Sequence, residues 1–329
     1  MTNQTYILWD PSEYDYPHSG GFVPFLTGYV HPDAQERPAM VVTPGGAYCF
    51  VAPSEGGPVA EKFYEAGYNA FVLAYTVNPL GSAPLGMQPL RDLSRAVRFV
   101  RRNAAGFHID PDRLAVCGFS AGGHLSASLC VHWPDVQDPD PAYASFSNRP
   151  NAAILSYPVI TAGEYAHRGS FENLLGPEAS PEDLAYMSLE NHVGPHTPPC
   201  FLWQTAEDGA VPVENSYLFA QACRAAGVDF AHHVFTKGQH GLALADAAWL
   251  RSDFGEPYTT GQLVKLREAA RSGALPGVAA DALDGFFAPP QEGDPAYRAQ
   301  LEKDCRQVEV WPQLAKAWLD GVWEQRTPS

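Results

Sequence analysis

Short apolar runs alternate with amphipathic stretches along most of the chain. Ala39–Thr43, Asn69–Tyr75, Arg113–Cys117, Ala152–Tyr157, Cys200–Thr205 and Phe230–Phe235 are bounded by Gly, Pro, Asp or polar turns. They read as strands buried on both faces, where apolar character is continuous rather than alternating. Between them, Pro58–Ala66, Asp92–Asn103, Gly123–Cys130 and Val213–Ala226 read as helices, with Gly67 and Gly227 as the stops after the first and last. Strand–helix alternation through 39–249 predicts an α/β fold: a mostly parallel twisted sheet with helices on both faces. Upstream, residues 1–38 are rich in Pro, Tyr and Gly, and Val23–Val30 fits an edge strand that tolerates its proline. Residues 78–89 and 135–141 read as loops. Residues 160–198 read as a loop region on the ligand side of the sheet, with a short helix near 181–186. Residues 250–310 break the alternation, with a helix at Gln262–Ser272 and a loop at Pro289–Pro295 before a closing helix, Trp311–Trp323. The expectation is one domain over 1–329, with 250–310 as an insertion or flap before the last helix.

In such sheets ligands bind at the C-terminal ends of the strands, and the chemistry-bearing residues cluster there. Gly118-Phe119-Ser120-Ala121-Gly122 matches G-x-S-x-G between a strand and a helix, a strained turn that lifts a serine hydroxyl above the sheet edge. A serine hydroxyl needs a base to become a nucleophile. His240, on a glycine-flanked turn past the last strand, is the candidate. His232 and His233 lie within that strand, and His124 lies on the helix after the turn, where packing is the simpler role. A carboxylate should orient the imidazole, in the order Ser, acid, His. Asp208 fits, past a strand and before a turn, with Glu207 as its rival and Asp229 at the wrong strand end. Acyl chemistry also needs N–H donors for the oxyanion. Ala121, after the serine, supplies one, and Gly46 or Ala47 in Pro44-Gly45-Gly46-Ala47-Tyr48 supplies the second. Tyr48 and Glu55, in and just past that turn, are the candidate substrate contacts.

Composition narrows the partners. The 329 residues carry a formal net charge of −16, which works against nucleic acid and anionic membranes. No apolar run reaches the roughly 18 residues of a membrane span. The N-terminus lacks a basic start and an apolar core, so no signal peptide is expected. Six cysteines are scattered without C-x-x-C spacing, which reads as free thiols in a reducing, cytoplasmic compartment. His192 and His196 have a zinc-like interval, but Gly and Pro between them deny it a helix and no third ligand is near. No phosphate-binding or dinucleotide-binding glycine motif occurs. No metal or cofactor is expected, and a homo-oligomer is compatible with the composition.

The chain resembles α/β-hydrolases of the esterase/lipase group. More narrowly, it is similar to bacterial acetyl-xylan esterases and feruloyl-esterase-like, xylanase-associated enzymes. The resemblance covers about 39–245. It rests on Pro44–Tyr48, Ser54–Gly56, Asp110–Leu125, Leu155–Ile160, Pro198–Trp203, Val211–Ser216 and Gly238–Leu242. It implies the α/β-hydrolase fold, nucleophile Ser120, acid Asp208, base His240, and oxyanion donors Gly46, Ala47 and Ala121. It also implies a substrate that is a small-molecule or oligosaccharide ester, with acetyl on carbohydrate first. An amide hydrolase of the aryl-formamidase or small-peptidase kind is the alternative, and a non-catalytic binding protein on the same fold a more distant one. The chain departs from the group in carrying Ala47 where a third glycine is usual, and Gln204 and Glu207 where His and Asp are common.

Overall fold

In the computed structural model, residues 3–325 are described except 15, 18, 252, 253, 256 and 288–294. Eight strands form one sheet: β1 (Asn3–Ile7), β2 (Phe25–Tyr29), β3 (Arg37–Thr43), β4 (Asn69–Ala74), β5 (Ile109–Phe119), β6 (Ala152–Ser156), β7 (Cys200–Thr205) and β8 (Phe230–Phe235). Their spatial order is β1-β2-β4-β3-β5-β6-β7-β8. From β4 to β8 every pairing is parallel, while β1/β2 and β2/β4 are antiparallel.

The central strands are apolar throughout because both faces are covered. Side chains alternate across a strand, so Ala39 and Val41 enter one core while Met40 and Val42 enter the other. The first core takes Leu93, Val97 and Val100 of the helix Gln88–Arg102, Leu125 and Leu129 of the helix Ala121–His132, and Phe219 and Cys223 of the helix Glu214–Ala226. The second takes Val59 and Phe63 of the helix Gly57–Glu65, and Trp311, Ala315 and Leu319 of the helix Trp311–Glu324. The Trp311 indole stacks on Trp203 at 5.3 Å and donates its N–H to the Ala243 carbonyl at 2.8 Å.

The edge strand β1 was not foreseen. Its residues are mostly exposed and start polar, so no apolar run marks it. The helix Arg168–Leu175 lies in a segment expected to be loop before 181. It buries only Ser170, Phe171 and Leu174, too short a stripe to register as a period. The helix Pro181–Tyr186 falls where it was expected. Within 250–310, helices span Thr260–Arg271 and Pro295–Val308; the loop expected at Pro289–Pro295 lies, but for Pro295, outside the described residues. This region rests on the loops at the strand ends. Thr259 Oγ1 accepts the Val51 N–H at 3.4 Å, the Phe286 ring meets Phe50 edge-on at 5.9 Å, and the Tyr297 hydroxyl donates to Gln239.

Candidate active site

The turn between β5 and the next helix can form only with glycine on either side of Ser120. A Cβ on Gly118 would lie 2.2 Å from the Gly122 carbonyl oxygen, and one on Gly122 would lie 2.0 Å from that of Thr43. Ser120 itself sits at φ 52°, ψ −119°, a conformation that costs a non-glycine residue about 1–3 kcal/mol. The surroundings hold it there. Its N–H donates to the Ser156 carbonyl at 3.0 Å, and its carbonyl accepts from His124 and Val159 at 3.0 and 3.1 Å.

The structure brings Ser120, His240 and Asp208 into one line. His240 Nε2 lies 2.8 Å from Ser120 Oγ, and His240 Nδ1 lies 2.7 Å from Asp208 Oδ2. The Asp208 side chain is fully buried and that of His240 is 22% exposed. Asp208 is itself fixed, because its Oδ1 accepts the N–H groups of Ala210 and Val211 at 3.0 and 2.9 Å. Its neighbour Glu207 points outward into an ion pair with Lys237. Asp229 precedes β8 at the opposite end of the sheet, where its carbonyl accepts the Cys200 N–H. A base bonded to a hydroxyl on one side and a buried carboxylate on the other can take the hydroxyl proton and carry the resulting charge.

The turn after β3 stands beside the serine. A Cβ on Gly45 would lie 2.9 Å from Ser120 Cβ. Gly46 has φ 121°, and Ala47 and Tyr48 have φ 51° and 63°, so the turn is left-handed at residues that carry a Cβ. Supports hold it from behind: Tyr75 donates its hydroxyl to the Pro44 carbonyl at 2.7 Å, and Asn173 donates to the Ala47 carbonyl at 2.9 Å. No hydrogen bond among the described residues uses the N–H of Gly46 or Ala47. Ala121 opens its helix, where the N–H has no acceptor within the helix. Gly46 and Ala47 lie in the turn whose Gly45 adjoins Ser120, and Ala121 follows the serine directly, which are positions from which N–H donors can serve an oxyanion.

Two expected substrate contacts are corrected. Tyr48 is 1% exposed, and its hydroxyl meets His124 Nδ1 at 2.8 Å. It is a core residue under the turn, because its left-handed backbone directs the ring inward. Glu55 is 4% exposed, and both carboxylate oxygens are engaged by the protein: Oε2 accepts the Gly45 N–H at 2.6 Å and Oε1 the Tyr157 hydroxyl at 2.7 Å. Neither presents surface to a ligand. His124 completes the tie by its second ring nitrogen, 3.0 Å from the Met187 carbonyl, and burial pushes its pKa down to about 4.

Tyr157 and Asn173 are parts of the site that sequence reasoning passed over. In the sequence Tyr157 stands at the end of the expected strand Ala152–Tyr157 and within the stretch Leu155–Ile160, with no role assigned to it. A clue was available, since a polar-tipped aromatic at the end of a buried strand needs a partner for its hydroxyl. His192 and His196 each face a backbone carbonyl, of Ala185 and Val131.

A parallel sheet, a serine on a strained turn at its C-terminal edge, and a histidine and buried aspartate from later loops define an α/β-hydrolase. Residues 29–223 match the BD-FAE family, and the chain belongs to it. Endo-1,4-beta-xylanase B of Butyrivibrio fibrisolvens is 50% identical over 262 residues, 80% of this chain and 41% of that protein. The acetylxylan esterase of Xylanibacter ruminicola is 32% identical over 217 residues, 64% of this chain and 42% of its own length. The chain thus spans about two fifths of these two relatives. Among solved structures, the acetyl ester-xyloside bifunctional hydrolase of Caldicellulosiruptor lactoaceticus has a TM-score of 0.68 at 37% identity, covering 82% of this chain and 96% of that one.

Proposed function

We propose that this chain is a carboxylic ester hydrolase that removes short acyl groups, acetyl first, from carbohydrate such as xylan-derived oligosaccharides. The observation that carries the chemistry is the continuous Ser120–His240–Asp208 relay at 2.8 and 2.7 Å. In this reading Ser120 Oγ attacks the ester carbonyl as His240 Nε2 takes its proton, and the C–O bond to the leaving alcohol breaks as His240 returns that proton to it. Water, deprotonated by the same nitrogen, then releases the acid from the acyl-enzyme and restores the serine. Asp208 holds the imidazole with Nδ1 protonated and balances the charge that develops on the ring. The N–H groups of Gly46, Ala47 and Ala121 receive the oxyanion.

The sugar half of the proposal rests on the relatives, two of which are named for acetyl esters of xylan or xylosides. Glycosidase chemistry, which the xylanase and xyloside names raise, needs a pair of carboxyl groups flanking the scissile bond. Here Asp208 is held by His240, and Glu55 by Gly45 and Tyr157. The test is mass spectrometry of acetylated xylo- and manno-oligosaccharides after incubation, beside a chain-length panel of aryl esters. Loss of acetyl groups with intact glycosidic bonds is expected. Turnover of aryl acetates with no loss from any sugar would overturn the substrate assignment.

A further inference from the structure

The turn after β3 and the loop carrying His240 come from different strands, yet one chain of hydrogen bonds joins them. Glu55 closes the short helical turn Pro53–Glu55 and is buried behind Gly45. Its Oε2 accepts the Gly45 N–H, and its Oε1 accepts the Tyr157 hydroxyl. The same hydroxyl oxygen accepts the Ala243 N–H at 3.0 Å, three residues past His240. The Tyr157 ring stands edge-on to the His240 ring, centroids 4.9 Å apart at 70°. A Cβ on Gly45 would lie 2.8 Å from Glu55 Oε2 and 2.9 Å from Ser120 Cβ. The carboxylate and the nucleophile therefore flank the same glycine.

Two features say that this tie does more than close the core. Tyr157 and Ala243 both have positive φ, at 36° and 47°, and such backbone persists only where its surroundings over-determine it. A buried carboxylate is also an expensive way to satisfy two donors. Burial raises the Glu55 pKa, with the Tyr157 and Gly45 hydrogen bonds and the His240 charge working against that rise. An apolar residue here would leave the Gly45 N–H and the Tyr157 hydroxyl without their acceptor, so the carboxylate fixes where both groups stand.

Building on the serine-hydrolase reading above, we propose that Glu55 is a positioning residue. Through Gly45 it fixes the turn that offers the Gly46 and Ala47 N–H groups to the oxyanion. Through Tyr157 it fixes the loop and ring of His240. The donor half and the base half of the site are thereby held in one register by a group that acts through its neighbours. Such a residue influences the transition state more than substrate binding, so its loss lowers kcat with little change in KM.

The test uses Glu55→Ala, Glu55→Gln, Tyr157→Phe and the pair Glu55→Ala/Tyr157→Phe on an aryl acetate, with Ser120→Ala alongside and thermal unfolding of each. Glu55→Ala is expected to lose about 100-fold in kcat, the scale of one missing oxyanion donor, with KM within about threefold. Tyr157→Phe should lose about tenfold, and Glu55→Gln, which keeps one acceptor, should recover part of the loss. The double variant should be no worse than Glu55→Ala, because members of one chain act as a unit. Tyr157→Phe keeps the ring and its packing, and carries the test if Glu55→Ala does not fold. Values of kcat within about twofold of the parent for Tyr157→Phe and any folded Glu55 variant, beside an inactive Ser120→Ala, would overturn the positioning role and leave the hydrolase reading standing. Activity surviving in Ser120→Ala would overturn the hydrolase reading and the positioning role with it.

Discussion

Replacing Asp208 by Asn should disable the site while leaving the fold intact, and the hydrogen bonds around the carboxylate say why. Asp208 Oδ1 accepts two backbone N–H groups, from Ala210 and Val211. An asparagine must keep its carbonyl oxygen there, since turning the amide would set its NH2 against two donors. The NH2 then faces His240 Nδ1 from the position Oδ2 now holds, 2.7 Å away. That nitrogen becomes an acceptor, the ring proton moves to Nε2, and the nitrogen facing Ser120 can no longer take the serine proton. The charge is lost as well. Unit charges about 4 Å apart at an effective dielectric of about 20 attract by about 4 kcal/mol, and that stabilises only the protonated ring. In rate this is about three powers of ten, and the reversed tautomer brings the expected loss in kcat to about 10³–10⁴-fold. The assay is steady-state hydrolysis of an aryl acetate by Asp208→Asn, with thermal unfolding as the check on fold. KM should stay within about threefold, since no ligand contact is removed. A kcat within about tenfold of the parent would refute the role given to Asp208.

Two further outcomes follow from the same geometry. His124 is buried and its pKa lies at about 4, against an ordinary 6.5. Below pH 6.5 the unfolded chain takes a proton that the folded residue refuses, so this group's contribution is full above about pH 6.5 and drains by about 3 kcal/mol as pH falls towards 4. Urea titrations across that window should show the loss, and a His124→Gln variant with the same slope would refute the assignment. Ala47 holds a left-handed backbone at φ 51°, which costs a residue with a Cβ about 1–2 kcal/mol. After the greater chain entropy of glycine is set against this, Ala47→Gly should be more stable by up to about 1 kcal/mol in urea unfolding, with kcat within about twofold. Clear destabilisation would show that the methyl group packs usefully.

The fold was legible because its central strands are buried on both faces, so each appears as an unbroken apolar run between turn signals. The strands that escaped or blurred lie at the edges. β1 is mostly exposed and opens on Asn3, Gln4 and Thr5, which carry no apolar signal. The positions of Ser120, Asp208 and His240 were legible for a different reason: each follows a strand end in a sheet where the strand ends converge. The supporting residues were not. Tyr48 and Glu55 stand in the right turn but face inward, and sequence position cannot tell a residue that lines a site from one that braces it from behind. Tyr157 and Asn173 reach the site through contacts far apart in the chain, with Glu55 Oε1 and the Ala47 carbonyl. No local pattern announces such pairs.

The central claim is that Ser120 becomes acylated during turnover. Acid-quenching the protein within the first turnover of an aryl acetate, followed by peptide mass mapping, tests it directly. The account predicts one added acetyl group on the peptide containing Ser120, formed with a burst of phenol and absent from Ser120→Ala. Full steady-state turnover by Ser120→Ala, or an acetyl group trapped on a different residue, would contradict it.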